Sequence, residues 1–159
     1  MRFNSWYFYG GILAIFFVVA ISLSAYRVVQ QVERVSPAAE FGDISLNIEY
    51  ATTDEARQRG LGGRESIPSD YGMLFVFPKS DRYGFWMKDT LVPLDMFWLD
   101  EGGKVVYMAQ NVATSSYPAV FYPTAPALYV LETAAGFAGA HSIATGTPLQ
   151  LKNLPTVSK

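Results

Sequence analysis

The hydrophobic pattern divides the chain into two unlike parts. From Phe3 to Tyr26 no charged residue interrupts the run, and WYFYGGILAIFFVVAISLSAY at 6–26 is apolar on every side. As a helix it would be roughly 31 Å long, the thickness of a bilayer's hydrocarbon core. A helix with no polar face would need burial all round, so the pattern predicts a membrane segment rather than a core helix. Trp6, Tyr7, Tyr9 and Tyr26 lie near its ends, where amphipathic rings favour the headgroup region. Val28, Val32 and Val35 continue a helical stripe toward Pro37, and SPAAEFGD reads as a linker. The expected organisation is a membrane anchor or signal segment over 1–27, a juxtamembrane linker over 28–43, a folded domain over 44–152 and a tail over 153–159.

Within the domain the period changes to two. SLNIEYA alternates Leu46, Ile48 and Tyr50 with polar neighbours, the pattern of a strand with one solvated face. TTDEARQRGLGG predicts a short helix, with Thr52 as cap, Glu55 completing a capping box and Gly62 as the left-handed stop. GMLFVF at 72–77 lacks alternation, which predicts a strand buried on both faces and ended by Pro78. Further strands are expected near 84–88, at Leu94–Leu99, at Lys104–Gln110 after a DEGG turn with Gly102 and Gly103 at positive φ, through ALYVLET, and at TPLQLK. SSYPAVFYPTAP is a loop, and AAGFAGAHSIATG is at most a short helix weakened by glycine. Six or seven short strands, one capped helix and no βαβ rhythm predict a mainly β fold, a small antiparallel β-sandwich or partly open barrel.

Composition narrows the function classes. A net charge of −2 with no run of Lys or Arg leaves no electrostatic footprint for nucleic acid. With no cysteine there is neither a disulfide framework nor a lipid-modified cysteine, and one histidine cannot build the nitrogen- and sulfur-rich shells that hold zinc or copper. The expectation is therefore no metal and no cofactor. Arg2 and the amino terminus on one side of the apolar run nearly balance Arg27, Glu33 and Arg34 on the other. A short leading tail followed by the folded part favours an exported domain that stays anchored; cleavage after Ser24 would instead release it.

Candidate chemistry concentrates in GFWMKDTLVPLDMFWLDEGG, where Lys88, Asp89 and Asp95 stand among large apolar side chains. Asp95 opens a strand whose two faces both look apolar, so its carboxylate needs hydrogen bonds or an ion pair. It either ties down the Thr90–Pro93 turn through backbone N–H groups or serves as an acid or base. Glu132, at the end of ALYVLE, carries the same ambiguity, with Lys88 or Arg64 as its expected partner. Trp86 and Trp98 have the bulk of core residues, though either could form a ligand platform. A serine nucleophile lacks support, because His141 and Ser142 adjoin without a glycine-framed nucleophile turn.

EARQRGLGGRESIP, GMLFVFP, FWMKDTLVPLDMFWLD, GGKVV and YVLETAAG, taken in order through residues 54–136, resemble family 192 of the domains of unknown function. The resemblance implies a compact, mostly β domain, often exported or membrane-tethered, with no established activity. The family positions that map onto this chain are Arg57, Gly60, Arg64, Gly72, Met73, Trp86, Met87, Lys88, Thr90, Pro93, Asp95 and Glu132. The chain departs from the family at Asp89, where the family usually has Asn, and at Gly146-Thr147, where a Gly-Asp pair is usual.

Together these readings predict a membrane-anchored, exported, non-catalytic domain that binds a small molecule, a glycan or an envelope partner. Its candidate ligand-binding residues are Arg64, Trp86, Lys88, Asp89, Asp95 and Glu132. The competing expectations are a hydrolase or lyase that uses Asp95 and Glu132 with Lys88, and a structural module of the cell envelope.

Overall fold

The computed structural model describes residues 38–152. The expected membrane segment and most of the expected linker lie outside them, and among the described residues no helix is long and apolar enough to cross a membrane. Seven strands form one sheet: β1 (Ala38–Phe41), β2 (Ile44–Ala51), β3 (Tyr71–Asp81), β4 (Leu94–Leu99), β5 (Val105–Val112), β6 (Ala127–Ala134) and β7 (Leu149–Leu151). Their spatial order is β5-β4-β6-β3-β2-β1-β7. The fold is mainly β, as expected, and of the two expected architectures it agrees with the partly open barrel: a single curled sheet stands where a sandwich would have two facing ones. Its edges meet where Val105 N–H donates to Thr147 O at 3.0 Å and Leu149 N–H to Gly103 O at 2.8 Å. These bonds curl the sheet into a half-barrel.

All neighbouring strands pair antiparallel except β2 and β3, which run parallel through Asn47↔Tyr71 to Ala51↔Phe75. The connection between them carries helix α1 (Asp54–Arg59), so one βαβ crossover exists where the sequence suggested none. The segment read as linker also changes role: Ala38–Phe41 pairs with β2 on one side and β7 on the other. Phe41 is fully buried. A four-residue strand gives too short an alternation to be told from a linker, and tertiary pairing decides the matter.

Two apolar clusters cover the two faces of the sheet. On the first face, Leu46, Ile48, Leu74, Phe97, Tyr129 and Leu131 pack with Phe41 and with Phe137 of helix α2 (Phe137–Ala140). On the second, Met73, Phe75, Met96, Trp98 and Val130 pack with Phe85, Met87 and Leu61. The central strands β3, β6 and β4 contribute to both clusters, which explains their unbroken apolar runs. β2 keeps the predicted alternation, with Leu46 and Ile48 buried and Ser45, Asn47 turned outward.

Local differences from the sequence reading have local causes. α1 is capped by Thr53, whose Oγ1 accepts from Ala56 N–H at 3.2 Å, one residue later than expected. Thr52 is occupied otherwise, its carbonyl accepting from Arg57 Nη1. The helix stops at Gly60 (φ 50°, ψ −138°) rather than Gly62, a conformation reserved for glycine. β3 runs through Pro78 to Asp81, because its register with β6 breaks between Val76 and Asp81 and the missing N–H is not needed there. Only Gly103 of the DEGG turn has positive φ. The strand expected near 84–88 reduces to a single pair, Phe85↔Phe121. Phe85 and Met87 are buried while Trp86 and Lys88 are exposed, so the alternation is real, but the segment lies as a loop across the second face.

Because β1 separates β2 from β7, residues 37–159 should fold alone, whereas a chain starting at Ile44 should lose β7 as well as β1. Amide NMR spectra of the two fragments check this: the longer should be well dispersed, and equal dispersion of the shorter would show that β1 is dispensable.

Candidate functional site

Glu132 sits mid-sheet on β6, paired with Met73 of β3 and Met96 of β4. It shares the second face with Val130, and only 4% of its surface is exposed. Among the described residues its carboxyl group has neither a hydrogen-bond donor nor an ion-pair partner; Lys88 and Arg64, the expected partners, do not reach it. Burial without a compensating partner disfavours the charged form and pushes its pKa up to about 8. At neutral pH the group is mostly a carboxylic acid, able to donate one hydrogen bond and accept others.

The acid lies against a pocket of about 230 Å³ between α1, the end of β3 and the 83–90 loop. At about 30 Å³ per water, that space equals roughly eight waters. Phe75, Phe77, Tyr83, Phe85 and Trp86 supply aromatic walls. Phe77 and Tyr83 stack with ring centroids 3.6 Å apart, and Phe75 meets Phe85 edge-on at 4.8 Å. Trp98 Nε1 donates to Tyr83 O at 2.8 Å and pins the loop to the sheet. Gly60 lines the helix side: a Cβ there would lie 3.4 Å from the Phe75 ring and 3.8 Å from Glu132 Oε2. The backbone therefore passes directly over the carboxyl group.

Three cations line the pocket with different freedom. Arg57 is committed to the fold: Nη1 donates to Thr52 O and Val76 O, both at 2.8 Å, and Nη2 to Asp54 Oδ1 at 2.7 Å. Its guanidinium also lies 5.4 Å from the Phe77 ring centroid. Arg59 and Lys88 make no hydrogen bond or salt bridge among the described residues, and Lys88 is exposed at the mouth. Thr90 is buried nearby, its Oγ1 donating to Lys88 O at 3.2 Å.

Of the residues singled out in the sequence, the structure brings together Trp86, Lys88 and Glu132. Trp86 is 52% exposed, a lip of the pocket, while Trp98 is wholly buried. The other three stand elsewhere. Arg64 Nη2 binds both oxygens of Glu49, at 3.0 and 2.9 Å, and Nη1 donates to Tyr71 Oη. Burial raises the Glu49 pKa, but the hydrogen bonds from Tyr71 and Arg64 outweigh it and hold the carboxylate below its usual range. Asp89 occupies positive φ (55°), with its carbonyl accepting from Gly63 N–H at 2.8 Å. That geometry suits Asn and Asp, and it accounts for the residue type at this position without a ligand.

Asp95 is fully buried on the first face, opposite to Glu132. Oδ1 accepts from Asn111 N–H at 2.7 Å and Oδ2 from Ala138 N–H at 2.8 Å. The carboxylate thus joins β4 to β5 and to the first turn of α2, rather than tying down the Thr90–Pro93 turn. The sheet separates it from Glu132, so the two carboxyl groups cannot act on one substrate. Sequence reasoning left out Arg57, Gly60 and Thr90, although the family resemblance maps all three, and of the aromatic walls it named only Trp86, because Phe75, Phe77, Tyr83 and Phe85 are indistinguishable from core.

Asp95→Asn should lower stability by about 1–3 kcal/mol, since an amide cannot accept at both oxygens of a buried pair. Lys88→Ala should leave stability nearly unchanged; urea unfolding of both variants checks the contrast. Glu132 gives a pH signature. Its folded pKa lies above the ordinary carboxyl value of 4.5, so the folded state holds the extra proton between pH 4.5 and about 8. Stability should fall as pH rises through that window, by about 1.4 kcal/mol per pH unit where the difference in bound protons is greatest. Glu132→Gln should flatten the slope, and an unchanged slope would mean the acid is already ionised in the fold.

The DUF192 family model, "Uncharacterized ACR, COG1430", matches residues 35–151. Two solved structures are similar to the chain. A proposed transcription regulator from Sinorhizobium meliloti 1021 has 30% identity and a TM-score of 0.68, covering 76% of this chain and 99% of its own. A protein of unknown function from Novosphingobium aromaticivorans DSM 12444 has 27% identity and a TM-score of 0.65, covering 72% of this chain and 83% of its own. No curated protein matches. With its family model matched from before β1 to the end of β7, the chain belongs to the DUF192 family.

Proposed function

We propose that this chain is a non-catalytic binding domain whose pocket takes a small molecule, held on the exported side of a membrane by its amino-terminal segment. One observation carries the binding reading: a buried carboxyl group, without a partner among the described residues, at the floor of an aromatic-walled pocket. An acid largely withdrawn from water, with no partner among the described residues, costs the fold stability, and a ligand that hydrogen-bonds to it recovers part of that cost. Aromatic rings and one convergent polar group are the usual makings of a small-molecule site. The pocket's size fits a small molecule such as an amino acid or one sugar ring. Against a hydrolase or lyase stands the position of Asp95, whose two oxygens are spent on backbone N–H groups on the other face of the sheet.

The tether rests on the apolar run at 6–26, longer than the core of a cleaved signal. Mass spectrometry of the mature protein tests it: an amino terminus at Met1 or Arg2 supports the anchor, and one near Ala25 means release.

For binding, a thermal-shift screen of the full chain against small metabolites and monosaccharides should yield compounds that raise Tm, because a ligand at about 100 times its Kd stabilises the native state by about 2.7 kcal/mol. The same compounds should lose most of their effect on Trp86→Ala and Glu132→Gln. Compounds that shift wild type and both variants equally would place binding elsewhere.

A further inference from the structure

The arrangement of charge within the pocket says more about its occupant than its size does. The floor supplies one acid, Glu132, flanked on the sheet by Met73 and Met96, which bring no charge of their own. The mouth supplies Lys88 and Arg59, neither engaged in a hydrogen bond or salt bridge among the described residues. Between floor and mouth stand ring systems, whose faces attract cations. Arg57, the third cation, is held by two carbonyls and Asp54, so its charge is already answered. Tyr83 is the remaining titratable group on the loop side, and burial raises its pKa, which keeps it neutral. From inside outward the pocket therefore presents an acid, an aromatic sleeve and basic groups: Lys88, with no hydrogen bond or salt bridge among the described residues, and Arg59, whose charge also acts on Glu49.

We propose that the occupant is an amphoteric amine, a small molecule whose protonated amine enters first to meet Glu132 and whose carboxylate stays at the mouth beside Lys88. This rests on the reading of the pocket as a ligand site and names its ligand class. A neutral polyol would satisfy the floor but leave the mouth's cations unanswered. A simple carboxylate would satisfy the mouth but give the floor no donor. A molecule with opposite charges at its two ends complements both, with the ammonium N–H groups donating to the Glu132 oxygens and to the ring faces. The proton balance follows. Below the pKa of Glu132, the acid must release its proton to solvent as the ammonium docks, whereas a polyol binds with no release.

The test is titration calorimetry on the full chain in a non-ionic detergent, with glycine, β-alanine, 4-aminobutanoate and 6-aminohexanoate as probes. Alkylamines, alkanoates and alkanediols of matched length serve as controls. One of the amino acids should bind more tightly than its matched amine, alkanoate and diol. At pH 7, two buffers of different ionisation enthalpy should report about 0.9 proton released, and affinity should rise roughly tenfold between pH 6 and 7 and level off above 8. Glu132→Gln should abolish the release and weaken binding at least about tenfold, and Lys88→Ala should reduce the amino acid's affinity to that of its matched amine. Tighter binding of a diol or alkanoate, lost in Glu132→Gln, would overturn the ligand class and leave the pocket reading standing. Amino-acid binding that survives Glu132→Gln would also overturn it, because the amine would then not lie at the floor. Failure of every probe at millimolar concentration would overturn the ligand class, and if the metabolite screen is also empty the pocket reading falls with it.

Discussion

Burial of β3, β6 and β4 on both faces is the constraint from which the rest of the domain follows. A sheet that curls encloses one face by itself, and here the first cluster fills that enclosure. The other face of the central strands would remain exposed unless something covered it. α1 and the 82–93 loop do so, laying Leu61, Phe85 and Met87 against Met73, Phe75, Met96 and Trp98. The loop needs anchors, and it has them in the Trp98 to Tyr83 hydrogen bond and the paired Phe85 and Phe121. Without this cover the strands would present a wide apolar surface to water.

The pocket is where that cover is incomplete. Helix and loop meet above Glu132 without closing over it, because Gly60 has no side chain to fill the gap and Trp86 turns outward. Two carboxyl groups on neighbouring strands then have opposite fates. Asp95 faces the enclosed side, where backbone N–H groups of β5 and α2 neutralise its cost, and it becomes part of the framework. Glu132 faces the covered side, where nothing among the described residues answers it. Period-two geometry sends Asp95 and Glu132 to different faces, since Asp95 pairs with Thr133 and Glu132 with Met96.

Much of this was legible in the residues and some was not. The unbroken apolar words GMLFVF and LDMFWL foretold central strands buried on two sides, and Asp95 amid them foretold a carboxylate that needs hydrogen bonds or an ion pair, while leaving its role open. Trp86, Lys88 and Glu132, far apart in the chain, were each marked as candidates by residue type and resemblance. The partner expected for Glu132 was wrong for a definable reason: charge complementarity is visible in a sequence, but distance is not. Arg64 is instead held by Glu49 and Tyr71. β1 was missed because its four residues carry no periodic signal apart from the strands they join, and the aromatic walls other than Trp86 were missed because a ring facing a pocket and a ring facing a core have the same local neighbours in the chain.

What the sequence by itself determined is which stretches become strands, since alternation and continuous burial are properties of consecutive side chains and of the pleat that sorts them. It also determined that buried acids had to exist, because carboxylates sit inside apolar words. Only the tertiary structure decided that the strands make one curled sheet rather than two facing ones, that β2 and β3 run parallel across α1, and that Asp95 is answered while Glu132 is left open. Those outcomes depend on which strands pair and how the sheet bends, and pairing is settled by the joint burial of residues a hundred positions apart, not by the neighbours of any one of them.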